Sequence, residues 1–186
     1  MERDRDDIRN ELLIVRCQRG DRRAFDELIR GWERKLFVYI RKLVPDEETT
    51  WQILQEVWLQ VVRGIASVRE PRTFPVWIYR VARNVVMTYH RGRYAQPQHL
   101  VEHAEDIADE DDGDGARSDD AELVHFGLSK LSPAERELLT LFFLEDLGIG
   151  EVAEVLGVPP GTVKSRLHAA KKALRNIFDR EGGRHG

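Results

Sequence analysis

Between Gln96 and Phe126 the chain carries 11 acidic residues and a single arginine. The heart of this stretch, EDIADEDDGDGARSDDAE, is dominated by Asp and Gly. Such a segment buries too little apolar surface to offset the entropy of ordering it. It therefore cannot lie inside a core, and it divides the 186 residues into two modules that must each bury their own apolar faces. Residues 1–95 hold 19 basic and 14 acidic residues, and residues 127–186 hold nine and eight. The formal charge of -4 thus belongs to the tether alone, and local charge is the better guide to partners.

Several function classes fall away at this stage. No run of about 18 apolar residues exists, so no membrane insertion is expected. The segment Met1–Asn10 is dense in charge and has no apolar stretch, which argues against a secretory signal. Cys17 is the only cysteine, which removes internal disulfides and cysteine-based metal sites. A cytoplasmic location is the expectation. Within the tether, Asp109, Asp111 and Asp112 are closely spaced carboxylates, but the turn glycine and terminal glutamate of a calcium loop are missing. His99 and His103 lie four apart without a third ligand nearby. A solvated tether is the expectation, with no metal and no cofactor.

The first module reads as helices. GDRRAFDELIRGWERKLFVYIRKLV places Phe25, Leu28, Ile29, Trp32, Leu36 and Ile40 three and four apart, with Asp21 as N-cap and Pro45 as terminator. A second helix is expected from Glu47 to Ile65, with Leu54, Val57, Trp58, Val61 and Ile65 inward. Gln52, Gln55, Glu56 and Leu59 fall elsewhere on it, and Leu59 is a small apolar spot in a polar setting: one exposed leucine or a docking point. A third helix is expected over Phe74–Arg93, with Trp77, Val81 and Val85 inward. Arg80, Asn84, Met87 and Arg91 line another face, with Arg83 close by. Arginines interleaved with Trp77, Tyr79, Tyr89 and Tyr94 suit phosphates and unpaired bases; a core tryptophan with solvated arginines is the plainer alternative.

The second module predicts short helices. Ser132 and Glu135 form a capping box. Leu138, Leu139, Leu141, Phe142 and Phe143 are expected in the core, and Ile149, Val152, Ala153 and Leu156 on one face of a short helix. Gly157 suits its C-cap, and Pro160 opens a new helix. That helix turns Val163, Leu167, Ala170 and Leu174 inward and carries Thr162, Lys164, Ser165, Arg166 and His168 outward. Two short helices, a glycine-bearing turn and a basic helix make the helix-turn-helix pattern, whose second helix enters the DNA major groove. Arg and Lys pair with guanine acceptors, whereas Lys171, Lys172 and Arg175, further along, suit phosphates. The fold class is thus all-α: two small helical domains, over 1–95 and 127–186, joined by a flexible acidic linker over 96–126.

The stretches GDRRAFDELIRGWERKLFVYIRKLV, LQEVWLQVVRGI, FPVWIYRVARNVV and LGVPPGTVKSRLHAAKKAL, in this order, resemble the bacterial RNA polymerase sigma factors of the extracytoplasmic-function group within the sigma-70 family. The resemblance covers roughly Gly20–Arg93 and Leu131–Ile177. It implies a non-enzymatic promoter-specificity subunit whose partners are core RNA polymerase and double-stranded and melted promoter DNA. Gln52, Gln55, Glu56 and Leu59 would grip the clamp of the largest polymerase subunit. Arg80, Arg83, Asn84 and Arg91 would engage and melt the -10 element. Thr162, Lys164, Ser165, Arg166, His168, Lys171 and Lys172 would serve the -35 element. The linker would thread near the polymerase active site, and the family commonly implies an anti-sigma factor. Gln52, Thr88, Ala169, Gly148 and Gly150 depart from the usual pattern. Two other classes stay open to test: a helix-turn-helix regulator that works without polymerase, and a nuclease using the linker carboxylates.

Overall fold

The computed structural model describes residues 2–94 and 126–182. Their regular structure is helical, with no strand among the described residues. The expected linker, with its carboxylates and with His99 and His103, lies outside the described residues. The chain divides into two compact units. One contains the helices up to residue 94; the other contains the greater part of those after residue 126.

The N-terminal unit has four helices: α1 (Glu2–Gln18), α2 (Arg22–Arg41), α3 (Glu47–Gly64) and α4 (Phe74–Tyr94). α1 extends the expected architecture. Its charge masks a short apolar face, Leu13, Ile14 and Cys17, which is buried. Gln18 then ties it to the turn after α3, donating to the carbonyls of Ile65 at 3.1 Å and Val68 at 2.7 Å. Gly20, at φ +81°, reverses the chain in a conformation that disfavours side chains. Asp21 caps α2 by accepting from the N–H groups of Arg23 and Ala24. Its second oxygen accepts from Arg16 at 2.9 Å, and that guanidinium holds the Asp21 carboxyl below its ordinary range. Asp46 caps α3 through the Thr49 N–H at 2.7 Å.

The core of this unit is aromatic at its centre. Trp32 meets Phe74 and Tyr79 edge to face at 5.4 and 5.9 Å, and Tyr79 meets Tyr39 at 5.2 Å. Each such contact adds about 0.5–1.5 kcal/mol beyond area burial. This network corrects the expected face of α4. Phe74, Val76, Ile78, Tyr79, Ala82, Val85 and Val86 are buried, whereas Trp77 and Val81 are only half-buried. Tyr79 is core and is not open to a base. On α3, Ile53 joins Leu54, Val57, Val61 and Ile65 in the core, and Trp58 is half-buried instead.

The C-terminal unit begins with a helical turn over 126–129, followed by α5 (Pro133–Leu139), a π-helical turn (Thr140–Leu144), α6 (Ile149–Leu156) and α7 (Pro160–Gly182). Ser132 and Glu135 form the expected capping box. Arg136 is buried, and its guanidinium donates to the carbonyls of Leu128, Ser129 and Leu131 at 3.0, 2.9 and 3.2 Å. One cation thus satisfies the carbonyl end of the preceding turn. In the π-turn the Glu145 N–H reaches the Thr140 carbonyl at 3.0 Å. The wider turn leaves Phe142 half-buried and Phe143 54% exposed, which corrects their expected core placement. Leu138, Leu139 and Leu141 are buried as expected.

Candidate functional site

α7 owes its start to backbone chemistry. Gly157 takes φ +67° after α6, and the Val158 N–H returns to the Ala153 carbonyl at 3.1 Å, closing the helix end. The Pro159 carbonyl then accepts from Thr162 and Val163 at 2.9 and 3.2 Å. Pro160 needs no hydrogen-bond acceptor at a first helical position. Three residues, 157–159, therefore separate α6 from α7. At the start of α6 the unusual Gly148 lacks a hydroxyl to cap the helix, but the Glu151 carboxylate still accepts from its N–H at 2.6 Å.

α7 buries Val163, Leu167 and Ala170, with Leu174 half-buried. That stripe leaves Lys164, Ser165, Arg166, His168, Lys172 and Arg175 exposed, with Thr162 half-buried at the rim. The Ser165 hydroxyl donates to the Thr162 carbonyl at 3.0 Å, which leaves its oxygen as an acceptor. Lys171 is also exposed, but its Nζ lies over Phe142 and Phe143, 5.3 and 4.9 Å from the ring centroids. The face is cationic over two turns with no acidic side chain before Asp179. Such a surface suits phosphates and guanine edges.

On α4, Arg80, Asn84 and Arg91 are exposed at helical spacing, and Arg83 is half-buried. Thr88, on the same face, donates to the Asn84 carbonyl at 2.9 Å and accepts from Arg91 at 3.1 Å. The departure at Thr88 thus orients Arg91 along its own helix. His90 bonds the Leu43 carbonyl at 3.0 Å, and because a carbonyl only accepts, Nε2 carries the proton. That bond fixes the last turns of α4 against the end of the α2 segment.

On α3, Gln52, Gln55, Glu56 and Leu59 are all exposed and share one side of the helix. Leu59 is not a solitary apolar spot. Leu59 is 51% exposed, Val62 57% and Trp51 41%, at spacings that put them around Gln55. Phe37 of α2 meets Trp51 in a tilted contact, with centroids 4.6 Å apart and an interplanar angle of 44°. Trp51 and Val62 were missed because each reads singly as a residue at the edge of the inner stripe; their shared spacing with Leu59 was the available signal. Among the described residues no group of three or more His, Cys, Asp or Glu side chains is placed to hold a metal. No helix among them is long and apolar enough to cross a membrane.

Comparison with known proteins places these faces within matched segments. Residues 28–95 match the model for sigma-70 region 2, and residues 122–174 match that for sigma-70, region 4. The RNA polymerase sigma-H factor of Pseudomonas aeruginosa is 30% identical over 177 residues, covering 89% of this chain and 91% of that protein. The ECF RNA polymerase sigma-E factor of Haemophilus influenzae is 27% identical over 180 residues, covering 91% and 95%. SigW of Bacillus subtilis, also an ECF RNA polymerase sigma factor, is 27% identical over 178 residues, covering 87% and 92%. Among solved structures, RpoE bound to the anti-sigma factor NepR from Bartonella quintana aligns with a TM-score of 0.69 at 20% identity, covering 83% of this chain and 96% of that one. CnrH bound to the cytosolic domain of CnrY aligns with a TM-score of 0.66 at 19% identity, covering 92% and 97%.

Proposed function

The chain belongs to the sigma-70 family of RNA polymerase sigma factors, in its extracytoplasmic-function group, and we propose that its three exposed helix faces divide the work of starting a transcript. As a sigma factor it directs transcription initiation through core RNA polymerase and promoter DNA. Its relatives are initiation factors and not catalysts themselves.

The α3 face grips the clamp of the largest polymerase subunit, through Gln52, Gln55, Glu56 and Leu59 with Trp51 and Val62 beside them. A mixed apolar and amide surface suits a protein partner, because apolar contact supplies affinity and the amides fix register. The α4 face, Arg80, Arg83, Asn84 and Arg91, holds the -10 element as it opens. Extruding a base costs a few kcal/mol, which arginine contacts offset. On α7, Thr162, Lys164, Ser165, Arg166 and His168 read the -35 element, with Lys172 at the phosphates. The domains follow the same division, 1–95 and 127–186, with the acidic linker over 96–126 between them. An anti-sigma factor is the regulatory partner, an idea supported by the complex in which RpoE was solved with the anti-sigma factor NepR. The protein works in the cytoplasm, on the nucleoid when polymerase carries it there.

One observation carries this division: a region 2 match containing the α3 and α4 faces precedes a region 4 match containing the α7 cations. A regulator that works without polymerase has no use for the first of these. The test is transcription in vitro from genomic promoter fragments with core polymerase, followed by start-site mapping. Starts that appear only with both components, at a fixed distance from a shared upstream element, support the division. Binding to DNA with no polymerase-dependent start overturns it.

A further inference from the structure

Lys171 and Lys172 are adjacent in sequence and look interchangeable as phosphate contacts. The helix separates them. At about 100° per residue, Lys171 lies about 70° from the middle of the buried stripe of α7, and Lys172 about 170° from it. Lys171 therefore sits on the shoulder of the helix, and Lys172 points squarely outward.

The shoulder faces the π-turn that ends α5. There Phe142 and Phe143 meet edge to face, with centroids 4.9 Å apart and an interplanar angle of 86°. The Lys171 ammonium lies within 6 Å of both centroids, the range of a cation–π contact. The wide turn is what brings a second, exposed aromatic ring to this point. Phosphate contact by Lys171 would compete with its contact to the two rings.

We propose that Lys171 is a positioning residue: held on the Phe142–Phe143 pair, it fixes the roll of α7 about its axis and so the direction of Lys164 and Arg166, and it makes no phosphate contact of its own. This rests on α7 being the DNA-reading helix. α5 and α7 already pack together, and the ring pair adds a contact on one flank that resists rotation of α7.

The test uses the full chain with core polymerase and a duplex promoter fragment taken from the mapped starts, with affinity measured across a potassium chloride series. Lys172→Gln is expected to lower the salt slope by about one, the loss of one phosphate contact. Lys171→Gln is expected to weaken binding several-fold at every salt concentration with the wild-type slope. Lys171→Arg should restore binding, since a guanidinium also stacks on aromatic faces. Phe143→Leu should reproduce the Lys171→Gln loss, and the double variant should be no worse than either. Without DNA, a urea-unfolding cycle on the same pair should give a coupling of about two- to five-fold in the unfolding equilibrium. A slope lowered as much by Lys171→Gln as by Lys172→Gln overturns the proposal, and so does an absent coupling. If Lys172→Gln and Arg166→Ala both leave affinity and slope unchanged, α7 is not the DNA-reading helix and the proposal falls with that assignment, whatever the unfolding cycle gives.

Discussion

The outward face of α3 and the outward face of α7 expose opposite chemistry. α3 turns out Trp51, Leu59 and Val62 among amides, while α7 turns out lysines, two arginines and a histidine. Apolar exposure is costly in water and is relieved by a protein partner. Exposed cations cost nothing in water and gain by releasing counterions from DNA. The interiors differ as well. The N-terminal unit closes around an edge-to-face aromatic network, and the C-terminal unit around aliphatic side chains and the buried Arg136. A face can be assigned to a partner from what the core leaves outside, and the two cores leave different things.

The strongest way to break this contrast is to attack the buried cation. Arg136→Met should cost about 3 kcal/mol or more, because three carbonyls lose a charged donor. Hydrogen exchange on the full chain should show protection lost in α5 and α7 while α1–α4 keep theirs. Loss spread evenly over both units would erase the distinction between their cores. Next comes the apolar face. Leu59→Asp should weaken polymerase binding by about 2 kcal/mol or more, roughly 30-fold, at unchanged helix content. Co-purification at the wild-type level would leave the α3 face without its assigned partner.

The cationic face is predicted to respond differently. Arg166→Ala should cost about 1–3 kcal/mol of -35 discrimination and leave polymerase binding intact. Footprinting against single-base promoter variants checks this, and an unchanged footprint would remove Arg166 from base reading. The last contrast separates the two units by pH. Burial, reinforced by the nearby Asp21 carboxylate, pushes the Cys17 thiol up to about 11. In an unfolded chain it titrates near 8.5. Its folded form is the protonated one, so its contribution is complete below about 8.5 and is lost as pH rises through about 11. Urea midpoints reported by α1–α4 should fall over that window relative to Cys17→Ala. Equal pH curves for the two proteins would show that the thiol is not desolvated.

Several elements could be read directly from the residues because their causes are local. Asp21 and the Ser132–Glu135 pair cap the helices they were expected to cap, and Gly157 and Pro160 punctuate the α6–α7 turn. α1 was harder to see, since Ile8, Leu12, Leu13, Ile14, Val15 and Cys17 are scattered through a charged run and, of these, Leu13, Ile14 and Cys17 are the buried ones. α4 misled for the opposite reason. Phe74, Val76, Trp77, Ile78, Tyr79 and Val81 surround its first turns with apolar groups, and a period of 3.6 cannot choose among faces that are all hydrophobic.

The sequence by itself determined where α2, α3 and α4 begin and end and where α5 and α7 begin, because caps and breakers act over a few residues. It also determined the cationic face of α7, because the stripe Val163, Leu167, Ala170 and Leu174 leaves its lysines and Arg166 on other sides. Only the tertiary structure decided that Tyr79 turns inward, that Phe143 turns outward and that Arg136 is buried. Those choices depend on neighbours distant along the chain, on a turn one residue wider than an α-helix, or on the Leu128, Ser129 and Leu131 carbonyls of the preceding turn. A buried guanidinium is stable only once the carbonyls that surround it have been brought into place.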